Sequence, residues 1–139
     1  MFKHILVPVD GSATAFSAVD NAQALAKAFG SEVTTVYVID PYPFTGVGAD
    51  FAYGQDQYLT AATAEANAAV DAVAARLEEA GVKVHKRVVE ANSASRGILE
   101  AAQAVGADLI VMGSHGRRGL EVAAHDLLLR GGAHGIVVD

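Results

Sequence analysis

The chain has 139 residues, a formal charge of −6, 52% apolar residues and only 6% aromatic ones. One domain, 1–139, with a core of Val, Ile, Leu and Ala is expected, and wholesale disorder is excluded. The acidic balance argues against a nucleic-acid partner, and the lack of cysteine rules out disulfides, thiolate nucleophiles and Cys-ligated metals, as suits a reducing cytoplasm.

The chain opens with Met1-Phe2-Lys3-His4 and an apolar run, Ile5 to Val9, which Asp10 breaks before it reaches the length of a secretory leader. No apolar run approaches the roughly eighteen residues that a membrane-spanning helix needs. Ile5 to Val9 reads as a first strand. After Asp10-Gly11-Ser12, Ala15, Ala18, Val19, Ala22, Leu25, Ala26 and Phe29 recur at three- and four-residue intervals, the signature of one buried helix face. Gly30 stops that helix, and Glu32 to Ile39 reads as a β-branched strand.

The segment from Asp40 to about Gln57 shows neither period; its prolines and glycines predict a long loop, with Tyr42, Phe44, Phe51, Tyr53 and Tyr58 available to fold over a site. A helix then carries Leu59, Ala62, Ala66, Ala69, Val70, Val73 and Leu77 on one face. Gly81 leads into a strand over Val82 to Val89. The next helix carries Ile98, Leu99, Ala102 and Val105, and Gly106 leads into Ala107 to Met112. Leu109-Ile110-Val111-Met112 is apolar without alternation, as befits a central strand covered on both faces. This βαβα order predicts an α/β fold organised by a single parallel sheet.

Ligands of such sheets sit at the carboxyl ends of the strands, where the strand order reverses. At the first exit, Asp10 suits a ribose hydroxyl or a Mg²⁺ ion, and Ser12, counted with the nucleotide-binding residues, suits the cap of the helix that follows; both also suit a plain turn and cap. The central exit, Met112-Gly113-Ser114-His115-Gly116-Arg117-Arg118-Gly119, lets backbone N–H groups approach a polyphosphate and adds two cations, although it also suits a solvated turn. It is not a Walker A sequence. His115 can meet a phosphate or merely stabilise the turn. His4, His85, His125 and His134 lack metal-ligand spacing, and Asp20, Glu65, Asp71, Glu78 and Glu79 fall on outward helix faces. A response regulator would need an Asp after the third strand, where this chain has Glu90-Ala91-Asn92.

Three segments together resemble the universal stress protein family: Lys3-His4-Ile5-Leu6-Val7-Pro8-Val9-Asp10-Gly11-Ser12, Val36-Tyr37-Val38-Ile39-Asp40, and Ala107-Asp108-Leu109-Ile110-Val111-Met112-Gly113-Ser114-His115-Gly116-Arg117. The resemblance runs from Phe2 to about Leu120. It implies a doubly wound, Rossmann-like, five-stranded parallel sheet with helices on both faces, an adenine nucleotide as ligand, ATP with or without Mg²⁺, and a homodimer formed through the last strand. Pro8 and Val9 would line the adenine pocket, Asp10 would address the ribose or metal, Val38 would pack on the base, and Met112, Gly113 and Gly116 would frame ribose and phosphates. The implied role is that of a cytoplasmic stress-response or signalling regulator, with an unnamed protein partner and at most slow ATP hydrolysis.

In its ATP-binding subset the family carries Gly-x2-Gly-x9-Gly-Ser/Thr. Gly113 and Gly116 match the first half, but Asp126-Leu127 stands where the second half belongs. The carboxylate there opposes a triphosphate. In a shifted cradle, Arg130 and Gly131 would take over beside Arg117. The alternative is a dimeric interaction module of the same fold that binds no nucleotide.

Overall fold

A computed structural model describes residues 2–9, 15–40, 49–113 and 135–138. Its elements are β1 (His4–Pro8), α1 (Ala15–Phe29), β2 (Glu32–Ile39), α2 (Ala49–Glu79), β3 (Val84–Glu90), α3 (Ala94–Val105), β4 (Leu109–Met112) and β5 (Gly135–Val138). The five strands form one sheet in the order β3-β2-β1-β4-β5, with every neighbouring pair parallel. The α/β architecture expected from the alternation of elements is therefore the one observed.

Two cores follow from the two-residue period of the strands. Ile5, Val7, Val33, Tyr37, Leu109 and Val111 face α1 and α2, where Val19, Ala22, Ala66, Val70 and Leu77 meet them. Leu6, Val36, Ile110 and Met112 face the other way, toward Ile98, Ala101 and Ala102 of α3. Burial on both faces explains the unbroken apolar run of β4, whose four residues are all buried. Full burial of each Ile or Leu contributes on the order of 1.5–3 kcal/mol. At the opposite extreme, β3 ends the sheet and is largely exposed. Lys86 of β3 pairs with Asp71 of α2 at 3.0 Å, and Arg76 of α2 with Asp20 of α1 at 2.8 Å. These exposed pairs knit the outer face but contribute little.

Gly30, Gly81 and Gly106 all have positive φ, at 66°, 85° and 68°. Gly106 shows what this achieves: its N–H reaches the carbonyls of Ala102 and Gln103, ending α3 and turning the chain into β4.

The start of α2 departs from the sequence reading. Residues 49–57, expected in the long loop, are helical, and α2 runs for 31 residues. Its first turns need no apolar stripe because they extend a helix that is already nucleated and buried further on; adding a turn to a formed helix is far easier than starting one. The rest of the expected loop, 41–48, lies outside the described residues.

Candidate functional site at the carboxyl ends of the strands

The strand order reverses at β1, which lies between β2 and β4. Toward β2, the register of β1 runs from His4 opposite Glu32 to Pro8 opposite Val36, and Val9 N–H extends it by donating to the Val36 carbonyl at 2.9 Å. Toward β4, only Ile5 opposite Leu109 and Leu6 opposite Ile110 are paired.

The reason is in the sequence. Backbone groups of a parallel strand point alternately to its two neighbours. Lys3 and Val9 bond toward β2, while the His4 carbonyl accepts from Asp108 N–H on the β4 side. By that alternation the next residue to donate toward β4 after Leu6 is Pro8, which has no N–H. The ladder stops there, at the topological switch point, where sheets of this kind have their ligand crevice.

Of the residues expected at the site, Pro8, Val9, Val38, Met112 and Gly113 are brought together at the carboxyl ends of three adjacent strands. Pro8, Val9, Met112 and Gly113 are buried and Val38 is half-buried. Asp10, Ser12, His115, Gly116, Arg117, Arg130 and Gly131, together with Asp126, lie outside the described residues. Because β2 continues to Ile39 while β1 ends at Pro8, Val38 stands beyond the last paired position and flanks the opening.

Beside this crevice, a cavity of about 370 Å³ lies between the end of β2 and α2, lined by Val38, Ile39 and Asp40 on one side and by Tyr58, Ala61, Ala62 and Glu65 on the other. Tyr58 Oη donates to the Asp40 carbonyl at 3.0 Å and pins α2 to the strand exit. The sequence reading places Tyr58 with the long loop and so does not show this wall. The spacing of Tyr58, Ala61, Ala62 and Glu65, at i, i+3, i+4 and i+7, is the signal that reveals it.

The amino ends of the strands are built differently. Asp108 accepts from the backbone N–H groups of Lys3 and His4 at 2.9 and 3.2 Å. Burial works to raise its carboxyl, but those two donors, its own N–H and the nearby His4 together hold Asp108 below its ordinary value. Its place in the Ala107-to-Arg117 segment is thus explained by clamping β4 to β1. The His4 and His85 rings stack with centroids 6.0 Å apart. His4 Nε2 lies 2.6 Å from Thr34 Oγ1, and His85 Nε2 lies 3.0 Å from Glu32 Oε1. Burial pushes the His4 imidazole below its ordinary value, with Glu32 and Asp108 opposing and His85 reinforcing the shift. The hydrogen bond from His85 and the Lys83 charge hold Glu32 low. Among the described residues, no group of three His, Cys, Asp or Glu is placed to hold a metal ion.

Residues 1–124 match the sequence profile of the Universal stress protein family. The chain is 38% identical over 121 residues to universal stress protein MJ0531 of Methanocaldococcus jannaschii, covering 87% of this chain and 69% of that protein. A universal stress protein family structure from Burkholderia pseudomallei superposes with a TM-score of 0.78 at 30% identity, covering 99% of this chain and 95% of that one. The structure of MJ0577, also from M. jannaschii, gives 0.80 at 26% identity, with the same coverage of 99% and 95%. Two more distant structures share the fold: a universal stress protein in complex with cAMP (TM-score 0.69, 19% identity) and one from Archaeoglobus fulgidus in complex with dAMP (0.70, 20%).

Proposed function

The chain belongs to the universal stress protein family, and we propose that it binds an adenine nucleotide in the crevice at the carboxyl ends of β1, β2 and β4. One observation carries this reading: Pro8 ends the β1–β4 ladder at the switch point, opening the place where a parallel sheet takes its ligand. The two distant relatives in complex with cAMP and dAMP support an adenine nucleotide as the class.

The residues present fit such a ligand. Val38 offers its methyls to the flat face of a base. Gly113, without a Cβ, lets phosphate come close to backbone N–H groups. Asp10 would hold the ribose or a Mg²⁺ ion, with Ser12, His115, Gly116 and Arg117 completing the phosphate side and Arg130 and Gly131 substituting for the family's later Gly-Ser/Thr. When bound, the triphosphate with its Mg²⁺ supplies the charge that these groups recognise. The nucleotide acts here as a ligand that biases conformation or partner choice, with hydrolysis at most slow. The protein works in the cytoplasm as a homodimer through β5, whose outer edge ends the sheet.

A second reading rests on Asp126-Leu127: a carboxylate where the family places a phosphate loop would leave a dimeric interaction module without nucleotide. Mass spectrometry of the small molecules released on denaturing freshly purified protein, followed by calorimetric titration of Mg-ATP into the stripped sample, separates the two. The proposal expects copurified adenine nucleotide or micromolar binding; no nucleotide and no heat would overturn it in favour of the second reading.

A further inference from the structure

We infer that Gly97 is a positioning residue that sets the width of the base pocket through Val38, so that a flat heterocycle is admitted only because α3 carries no side chain at this point. The inference rests on the nucleotide reading above and names what determines the shape of that site. Gly97 is buried in the first turn of α3, where its N–H donates to the Ser93 carbonyl at 3.1 Å. A Cβ built on it would lie 2.8 and 2.9 Å from the two γ carbons of Val38 and 3.2 Å from the Cβ of Ala91. Contacts under 3.0 Å are repulsive, so something must move.

What moves follows from how each neighbour is held. Helix α3 cannot retreat, because Ile98, Ala101 and Ala102 are at most 2% exposed and seat it on Leu6, Val36 and Ile110. Ala91 is held by its backbone N–H, which donates to the Ile39 carbonyl at 2.9 Å. Val38 meets the new Cβ with the ends of its side chain, is half-buried, and stands beyond the last position paired with β1. An alanine at position 97 therefore drives the Val38 methyls into the crevice. Helix propensity by itself favours alanine over glycine inside a helix by about 0.5–1 kcal/mol. The glycine thus works against the local preference of α3, and the contact with Val38 is the reason the structure offers for it.

The test is a double-mutant cycle on the full chain: Gly97→Ala, Val38→Ala and the two combined. Mg-ATP affinity is read by calorimetry, and the Val38 methyl resonances by ¹³C NMR in the variants that retain Val38. Intruding methyls are expected to lower ATP affinity about tenfold in Gly97→Ala, the order associated with one methylene in a pocket. The Val38 methyls should shift, and the combined variant should bind within about threefold of Val38→Ala, because the truncated side chain leaves room for the new Cβ. If the original chain binds Mg-ATP but Gly97→Ala binds it equally well, or if the combined variant is as weak as Gly97→Ala, the positioning role of Gly97 is overturned while the nucleotide reading stands. If the original chain binds no Mg-ATP, that reading fails and this inference falls with it.

Discussion

The two ends of the sheet solve opposite problems with the same backbone. At the amino ends the strands are tied across: Asp108 grips the first residues of β1, Ser31 Oγ donates to the Phe2 carbonyl, and His4 and His85 each hold a partner on β2. Between the carboxyl ends of β1 and β4 the ties are withheld. Pro8 removes one donor, the β1–β4 ladder ends, and Gly113 carries no Cβ. Specific contacts closed at one end and omitted at the other allow a rigid sheet to present an opening without loosening its core, and the two sets of residues should be separable by mutation.

The largest expected effect is at the open end. Gly113→Val places a branched side chain where phosphate must approach backbone, so ATP binding should be lost while far-UV circular dichroism stays that of the original chain; retained affinity would remove Gly113 from the cradle. At the closed end, Asp108→Ala strips two backbone donors of a charged acceptor. It should cost about 2–3 kcal/mol in urea unfolding and leave ATP affinity unchanged; a parallel loss of affinity would mean that the two ends are coupled. Gly106→Ala, at a φ of 68°, should cost about 1 kcal/mol by the same measurement, since an L side chain is strained there.

The histidine cluster adds a pH signature to the closed end. Burial lowers the His4 pKa from 6.5, so the folded chain binds fewer protons there than the unfolded chain does. Its contribution is fully present above that value and is lost as pH falls through 6.5 toward the lower folded value. Glu32 and Asp108, lowered from 4.5 and 3.8, add their losses only in more acidic solution. Unfolding midpoints measured between pH 7.5 and 5 should therefore decline with acid, and His4→Gln should flatten that decline; an unchanged slope would remove His4 as its source.

Much of this was legible in the sequence because it depends on local pattern. The β-branched run predicts β2 with its observed bounds, the apolar stripe predicts α1, and Gly30, Gly81 and Gly106 mark three turns that need positive φ. The parallel-sheet rule places Pro8, Val9, Met112 and Gly113 at the strand exits, and the family resemblance adds Val38. What was missed depends on contacts between residues far apart in the chain. Nothing near Asp108 in sequence tells that its carboxylate reaches Lys3 and His4, and nothing in the spacing of His4 and His85 tells that their rings stack across Thr34. The early turns of α2 escaped for another reason: they carry no apolar period, and only the helix that follows makes them helical.

The most direct test of the contrast between the ends is a titration of ¹⁵N-labelled, nucleotide-stripped protein with Mg-ATP, followed by amide NMR. The amides of Val9, Val38 and Gly113 should shift while those of His4, Thr34 and His85 stay still. Shifts centred on the histidine end, or no shifts at millimolar ATP, would contradict the assignment of the open end as the nucleotide site.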